Sequence, residues 1–160
     1  APTTAPVVTL APTTGAPSLK DRIIPFLFDN GAGFNDPASY QSCALARVEE
    51  QEGAVFFTDA KLVQYYALYC IFCSTNAKPN VITDADPRFD NIANFPGWSN
   101  KNGWESNNLD PCSGWHGVVC SNDLVTELNL FDNLLTGIWP PEIDLLASDG
   151  ERSTGAGAIT

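Results

Sequence analysis

The spacing of leucines around one asparagine constrains the fold of this chain more than any other feature of its sequence. Between Val125 and Leu135 the residues follow the arrangement L-x-x-L-x-L-x-x-N-x-L, with valine in the first position. Leu128 and Leu130 are two residues apart, so on a strand their side chains point to the same face. The Asn133 amide follows where the chain turns, and it can bond backbone groups that the turn leaves unpaired. We therefore predict a strand with one buried face, whose core positions are Val125, Leu128, Leu130, Asn133, Leu135 and Ile143.

The residues after this strand predict a short return path. Gly137 allows a bend, and Pro140 and Pro141 interrupt regular backbone hydrogen bonding. We expect an extended or 3₁₀ segment that brings Ile143 and Leu146 back to the core.

This pattern is the signature of the leucine-rich repeat. The run LTGIWPPEI resembles the plant-type repeat L-x-G-x-I-P, with Trp139 where that family has an aliphatic residue. Upstream, a second set resembles the plant N-terminal cap motif C-x-W-x-G-V-x-C, longer here by one residue: Cys112, Trp115, Gly117, Val118 and Cys120. The resemblance implies that Cys112 and Cys120 form a disulfide. It also implies that Trp115 covers the apolar end of the first repeat.

A wider resemblance is to the leucine-rich repeat proteins of diatom-type algae, and it covers about residues 36–143. The segments TDAKLVQYYALYCIFCSTN, GWSNKNGW and DPCSGWHGVVC follow one another in the order of that family. It implies an α+β fold, in which a helical N-terminal cap with a disulfide leads into a leucine-rich repeat solenoid. We assign residues 19–123 to the cap region and 124–160 to the first repeat and the start of a second. Ala158-Ile159-Thr160 repeats the pattern of Leu124-Val125-Thr126, so we expect a longer protein.

Two helices are predicted within the cap region. The first has Asp36 as N-cap and Pro37 at its first position, and Gly53 ends it. The second has Thr58 or Asp59 as N-cap and ends at Asn76. We expect the two to pair as an antiparallel hairpin, followed by an irregular loop over 77–110 that Trp98 and Trp104 hold in place. The apolar stripe of the second helix consists of Leu62, Tyr65, Tyr66, Tyr69, Cys70 and Cys73.

The chain has five cysteines and no methionine, and disulfides indicate an oxidising compartment. If the hairpin turns near residue 55, Cys70 is roughly 4.5 Å and Cys73 about 9 Å from the level of Cys43, at about 1.5 Å rise per residue. We therefore predict a Cys43–Cys70 disulfide, with Cys73 buried and free or bonded to another chain. Cys70-x-x-Cys73 is a poor redox pair because it lies near a helix C-terminus, and a poor zinc site because it lacks a second ligand pair.

Other candidate sites are weak. His116 is the only histidine and falls at a variable position of the cap motif, which favours an exposed loop side chain. Asp84, Asp86 and Asp90 lack the glycine and terminal glutamate of an EF-hand loop, so a solvated turn is favoured over a calcium site. No N-x-S/T sequon occurs. We therefore predict no catalytic residue, no metal ligand and no cofactor.

Residues 1–18, APTTAPVVTLAPTTGAPS, form a tail rich in proline and threonine without a charged side chain. Such a composition favours an extended linker. It often carries O-linked sugar, and the candidate positions are Thr3, Thr4, Thr9, Thr13 and Thr14. We expect Val7, Val8 and Leu10 to contact a partner or a second copy at an exposed sheet edge; attached sugar or a groove on its own domain are the alternatives.

The net charge of −11 and the sequence pI near 4.2 disfavour nucleic acids and anionic membranes as partners. The sequence contains no signal peptide and no apolar run long enough to span a bilayer. We expect a non-catalytic extracellular or cell-surface module that binds proteins, itself included, within a larger assembly. The alternative is the ligand-binding ectodomain of a membrane-anchored receptor-like protein. An enzyme would have to depend on His116.

Overall fold

The computed structural model describes residues 15–76, 97–105 and 110–147. The helices are α1 (Leu19–Ile23), α2 (Tyr40–Glu49) and α3 (Asp59–Thr75), and the strands are β1 (Val118–Ser121) and β2 (Leu124–Leu128). Short 3₁₀ segments cover Ile24–Phe26, Ala32–Asn35, Glu52–Phe56, Pro111–Ser113 and Pro141–Ala147. The mixture of helices and a small sheet confirms the α+β class. Within these ranges there is no solenoid and no stacking of repeats.

The first predicted helix starts later and ends earlier than expected. Its N-cap is Ser39, whose side chain accepts a hydrogen bond from the Ser42 backbone, and not Asp36. The Asp36 carboxylate instead accepts from the Ala38 N–H at 2.9 Å and closes the turn before the helix. At the other end α2 stops at Glu49, and Gly53 lies within the following 3₁₀ segment.

The second predicted helix has the limits that its caps predict. The Thr58 side chain accepts a hydrogen bond from the Lys61 backbone, and Asn76 is the C-cap of α3. The predicted apolar stripe was too narrow, because every side chain from Lys61 to Phe72 is buried. A helix that is buried all round has neighbours on every side. α3 is therefore the central element, and α1, α2, β2 and the 3₁₀ segment Pro141–Ala147 pack around it.

The two strands form an antiparallel ribbon with Val118 opposite Leu128 and Ser121 opposite Leu124. Asn122 and Asp123 connect them with φ angles of 51° and 66°, as in a type I′ turn. The Gln64 side chain on α3 bonds both the N–H and the C=O of Val125. The Val125 backbone is therefore already bonded and does not accept an added strand, while the exposed sheet edge expected around Leu128 and Leu130 stays a prediction.

Two disulfides are present, and one of them corrects the predicted pairing. Cys43 is bonded to Cys73 and not to Cys70, with the two Cα atoms 6.2 Å apart. Cys70 is the free cysteine and is fully buried. Cys43 lies about 9 Å from the end of α2 and Cys73 about 21 Å from the start of α3, at about 1.5 Å per residue. The linker between the helices must therefore run about 12 Å along the helix axis. The predicted pairing assumed that the end of α2 and the start of α3 lie at the same level, so it missed this offset.

Candidate interaction surface

The predicted core positions of the repeat occupy three different environments. Val125 and Asn133 are buried, whereas Leu128, Leu130 and Leu135 are half-buried. The expectation for Ile143 was wrong, since it is 36% exposed, and Leu145 is buried in its place. The return path over Pro141–Ala147 is the expected 3₁₀ segment. Its three residues per turn direct Glu142 and Leu145 inward and Ile143 outward.

Asn133 joins the segment after β2 to the loop that carries two of the tryptophans. Its Oδ1 accepts hydrogen bonds from the Asn100 N–H at 2.6 Å and from Ser99 Oγ at 3.0 Å, and its Nδ2 donates to the Asn100 C=O at 2.9 Å. The sequence predicted that this amide would bond backbone groups, but it placed them in the adjacent turn. The partners lie 33 residues upstream.

His116 is half-buried and fixed in place, which corrects the prediction of an exposed loop side chain. Asn100 Oδ1 accepts from the Asn102 N–H, so the Asn100 Nδ2 faces His116 Nδ1 at 3.0 Å. The His116 backbone C=O also accepts from Trp104 Nε1 at 3.0 Å. His116 therefore helps to connect the loop with the cap.

The cap motif has the disulfide that the resemblance implies, whereas Trp115 packs against α3 and the tryptophan loop, and its role in covering a repeat stays a prediction. Cys112 is bonded to Cys120, with Cα atoms 5.5 Å apart. Trp115 is buried, and its ring lies 5.3 Å from that of Tyr69 and 4.9 Å from that of Trp104. Trp98 and Trp104 are buried in the same cluster, so they hold the described part of their loop against α3, as predicted.

Gly117 lies in close contact with the backbone of Asn129, which follows β2. Its C=O accepts a hydrogen bond from the Asn129 N–H at 2.7 Å. Its φ is +80°, and a Cβ at this position would overlap the Asn129 carbonyl oxygen. No residue other than glycine fits this contact without a backbone shift.

An open groove of about 450 Å³ lies beside the end of β2. Its walls are both polar and apolar, and two of its aromatic side chains face solvent: Phe131 is 89% exposed and Trp139 52% exposed. Ile138, which precedes Trp139, is 82% exposed. The lining residues are Glu127, Leu128, Asn129, Leu130, Phe131, Leu135 and Trp139.

The backbone beside the groove contains two residues in an uncommon conformation. Asp132 and Leu134 have φ angles of 56° and 52°, in the left-handed region that non-glycine residues rarely adopt. Asn129 Oδ1 accepts from the Phe131 N–H at 3.1 Å, and Asn133 between the two strained residues is fixed by its bonds to the loop. Strained residues of this kind are found most often at functional sites.

A second cluster, formed by Asp110, Cys112 and Asp123, has the donor types of a cation site. Cys112 is occupied by its disulfide, and Lys61 Nζ lies 3.0 Å from Asp110 and 2.5 Å from Asp123. Burial alone lowers the pKa of Lys61, but its hydrogen bonds to Asp123 and Asp110 outweigh this and hold that pKa above its usual value. This cluster is an ion-pair network at the surface, in which the buried Lys61 pairs with the half-buried Asp110 and the exposed Asp123 and joins the ribbon to α3.

The remaining candidate groups are buried or undescribed. Burial raises the pKa of the Cys70 thiol well above its usual value, which disfavours a reactive thiolate. The predicted sugar-bearing threonines, the tail contacts Val7, Val8 and Leu10, and the acidic residues 84, 86 and 90 lie outside the described residues. Among the helices that the structure does describe, none has the length and apolar character needed to cross a membrane.

Comparison with known proteins identified no relative: no family model, no curated protein and no solved structure matches this chain.

Proposed function

We propose that this protein is a non-catalytic extracellular leucine-rich repeat module that binds other proteins within a larger assembly. The observation that supports this function is the groove beside the end of β2, where Phe131 and Trp139 face solvent. Large aromatic side chains at the centre of a contact contribute most of the binding energy in protein interfaces. A monomer that exposes them together has a surface suited to a partner.

The arrangement of polar groups around the groove also favours a protein ligand. Glu127 and Asn129 line the groove beside the apolar side chains, as polar groups surround the apolar centre of an interface. Trp139 is the residue that departs from the plant-type repeat pattern, and it forms one wall of this groove. The departure therefore falls where a partner would be contacted.

The scaffold supports an extracellular location. Two disulfides join α2 to α3 and close the cap, and such bonds persist in oxidising compartments.

Selection of peptides from a random display library on the immobilised full chain would test this function. We expect selected peptides to be rich in apolar residues and to bind at least about tenfold more weakly to a variant carrying Phe131→Ser and Trp139→Ser. The matched control carries Phe28→Ser and Phe56→Ser, which removes two phenylalanines that are 68% and 88% exposed and do not line the groove.

The control variant should bind the selected peptides as the unmodified protein does. If no peptide distinguishes the two variants, the groove is not a binding surface and the proposed function loses its support. Circular dichroism spectra of both variants should match that of the unmodified protein, because all four residues are exposed.

A further inference from the structure

We propose that the groove of one copy binds residues 1–14 of another copy, so that the protein self-associates through its N-terminal tail. This inference rests on the proposed function and names the partner of the same groove. Three features of the segment favour it as the partner: its chemistry, its charge, and the length of chain that connects it to the fold.

The chemistry of residues 1–14 fits an aromatic groove. Pro6 and Pro12 enclose the five-residue sequence VVTLA, in which Val7, Val8 and Leu10 are the large apolar side chains. Extended segments that contain proline dock in grooves lined by aromatic residues, because they lose little conformational entropy on binding. Phe131 and Trp139 supply such walls. Because Gln64 occupies the backbone of Val125, we assign the contact to side chains and not to an added strand.

The charge of the chain favours the same segment. All charged side chains follow residue 14, so each copy carries its net charge of −11 outside this segment. Two acidic bodies repel one another over a distance of about 8 Å at physiological salt. An uncharged segment approaches the groove without that repulsion. Residues 148–160 fit less well, since they contain Asp149 and Glu151 and only one large apolar residue, Ile159.

The length of the connecting chain favours another copy over the same one. The tail enters the fold at Ser18, and Arg22, one turn later, bonds Asp59 at the N-terminal end of α3. Leu135 in the groove adjoins Thr136, which bonds Thr75 at the C-terminal end of α3. The eight residues from Leu10 to Ser18 reach at most about 28 Å, and α3 itself is about 25 Å long. Reaching the Leu135 end of its own groove would therefore take nearly all of this length, whereas the groove of a second copy places no such limit on the segment.

A mixing experiment with full-length chains tests this inference. The tail variant carries Val7→Ser, Val8→Ser and Leu10→Ser, and the groove variant carries Phe131→Ser and Trp139→Ser. By sedimentation velocity we expect the unmodified protein to self-associate and each variant alone to associate at least about tenfold more weakly. An equimolar mixture should recover association, because it combines one intact groove with one intact tail.

Thr13→Ser with Thr14→Ser is the matched tail control and should associate as the unmodified protein does. Three results would overturn the inference: a tail variant that associates normally, a mixture that does not recover, or an unmodified protein that stays monomeric. A monomer whose tryptophan fluorescence changes with the tail substitutions, but no longer changes once Trp139→Ser is also present, would place the tail in its own groove and also reject association between copies. If the groove selects library peptides while the tail variant behaves normally, the proposed function stands and only the tail as partner is rejected.

Discussion

At the scale of single residues, Gln64 connects three separate segments of the fold. It is 3% exposed. Its Nε2 donates to the Val125 C=O at 3.2 Å and to the Leu146 C=O at 2.8 Å, and its Oε1 accepts from the Val125 N–H at 2.7 Å. One amide thus connects α3 with β2 and with the 3₁₀ segment Pro141–Ala147.

Replacing Gln64 by alanine should lower the free energy of unfolding by about 3 kcal/mol, because three hydrogen bonds are lost and the Val125 N–H is left without a partner. Urea unfolding followed by circular dichroism measures this change. A second variant, Gln64→Glu, keeps the acceptor but sets a carboxylate against two carbonyl oxygens, so it should also destabilise the fold. Two variants that unfold within about 0.5 kcal/mol of the original chain would contradict this role.

Removing the hydroxyl group should change the stability of the fold in opposite directions at two of the tyrosines. The Tyr66 hydroxyl is buried beside the Cys70 thiol, a weak hydrogen-bonding group, and forms no other hydrogen bond among the described residues, so Tyr66→Phe should be neutral or should stabilise the fold by about 1 kcal/mol. The Tyr40 hydroxyl donates to the buried Glu142 at 2.9 Å, so Tyr40→Phe should destabilise by about 1 to 3 kcal/mol. Thermal unfolding of the two variants measures both changes in stability. Destabilisation of similar size in both would show that Tyr66 has a partner elsewhere in the chain.

At the scale of elements, the disulfide between α2 and α3 closes a larger loop than the disulfide of the cap. The cysteines are separated by 30 residues in the first and by 8 in the second. In the chain-entropy model the larger loop stabilises by about 4 kcal/mol and the smaller by about 2.5 kcal/mol. Changing Cys43 and Cys73 to serine should therefore destabilise more than the same change at Cys112 and Cys120, as measured by denaturant unfolding.

Alkylation supplies the control for this pairing. In the native protein no cysteine among the five should react, because four are bonded and Cys70 is fully buried. After unfolding without reductant, Cys70 alone should be labelled. Label on Cys73 under those conditions would reinstate the pairing of Cys43 with Cys70.

The elements also show which features a sequence predicts and which it does not. The limits of α3 were predicted correctly because Thr58 and Asn76 act through backbone groups within one turn of themselves. The cysteine pairing depended on the path of the linker, which the sequence does not determine. The partner of Asn133 was missed because it lies in a loop 33 residues away. The groove was missed because the exposure of Trp139 depends on tertiary packing, which a local sequence pattern does not determine.

At the scale of the whole molecule, the tyrosines make the fold sensitive to alkaline pH. All four have a raised pKa, with burial as the main cause in each. Above about pH 10 the unfolded chain releases these protons while the folded chain retains them, so the free energy of unfolding falls as pH rises. The ion pairs of Lys61 act in the same direction, since its raised pKa stabilises the fold below about pH 10.4 and that contribution is lost above it.

We therefore expect stability to fall steeply above about pH 10, by about 1.4 kcal/mol per pH unit for each buried tyrosine. Circular dichroism and the ultraviolet absorbance of tyrosinate should change together in one cooperative transition. A urea-unfolded sample should show tyrosinate near its ordinary pKa of about 10. Tyrosinate that appears at that pH while the folded spectrum persists would contradict the burial of these side chains.

The position of α3 also sets a problem of timing during synthesis. Lys61 pairs with Asp123, Gln64 with Val125 and Thr75 with Thr136, so α3 finds these partners 61 or 62 residues downstream. At about 5 to 20 residues per second, a ribosome makes those partners about 3 to 12 s after the helix. During that interval the helix emerges with apolar side chains on every face and only α1 and α2 to cover them. Expression in cells should therefore depend on chaperones that hold apolar helices until the ribbon has been made.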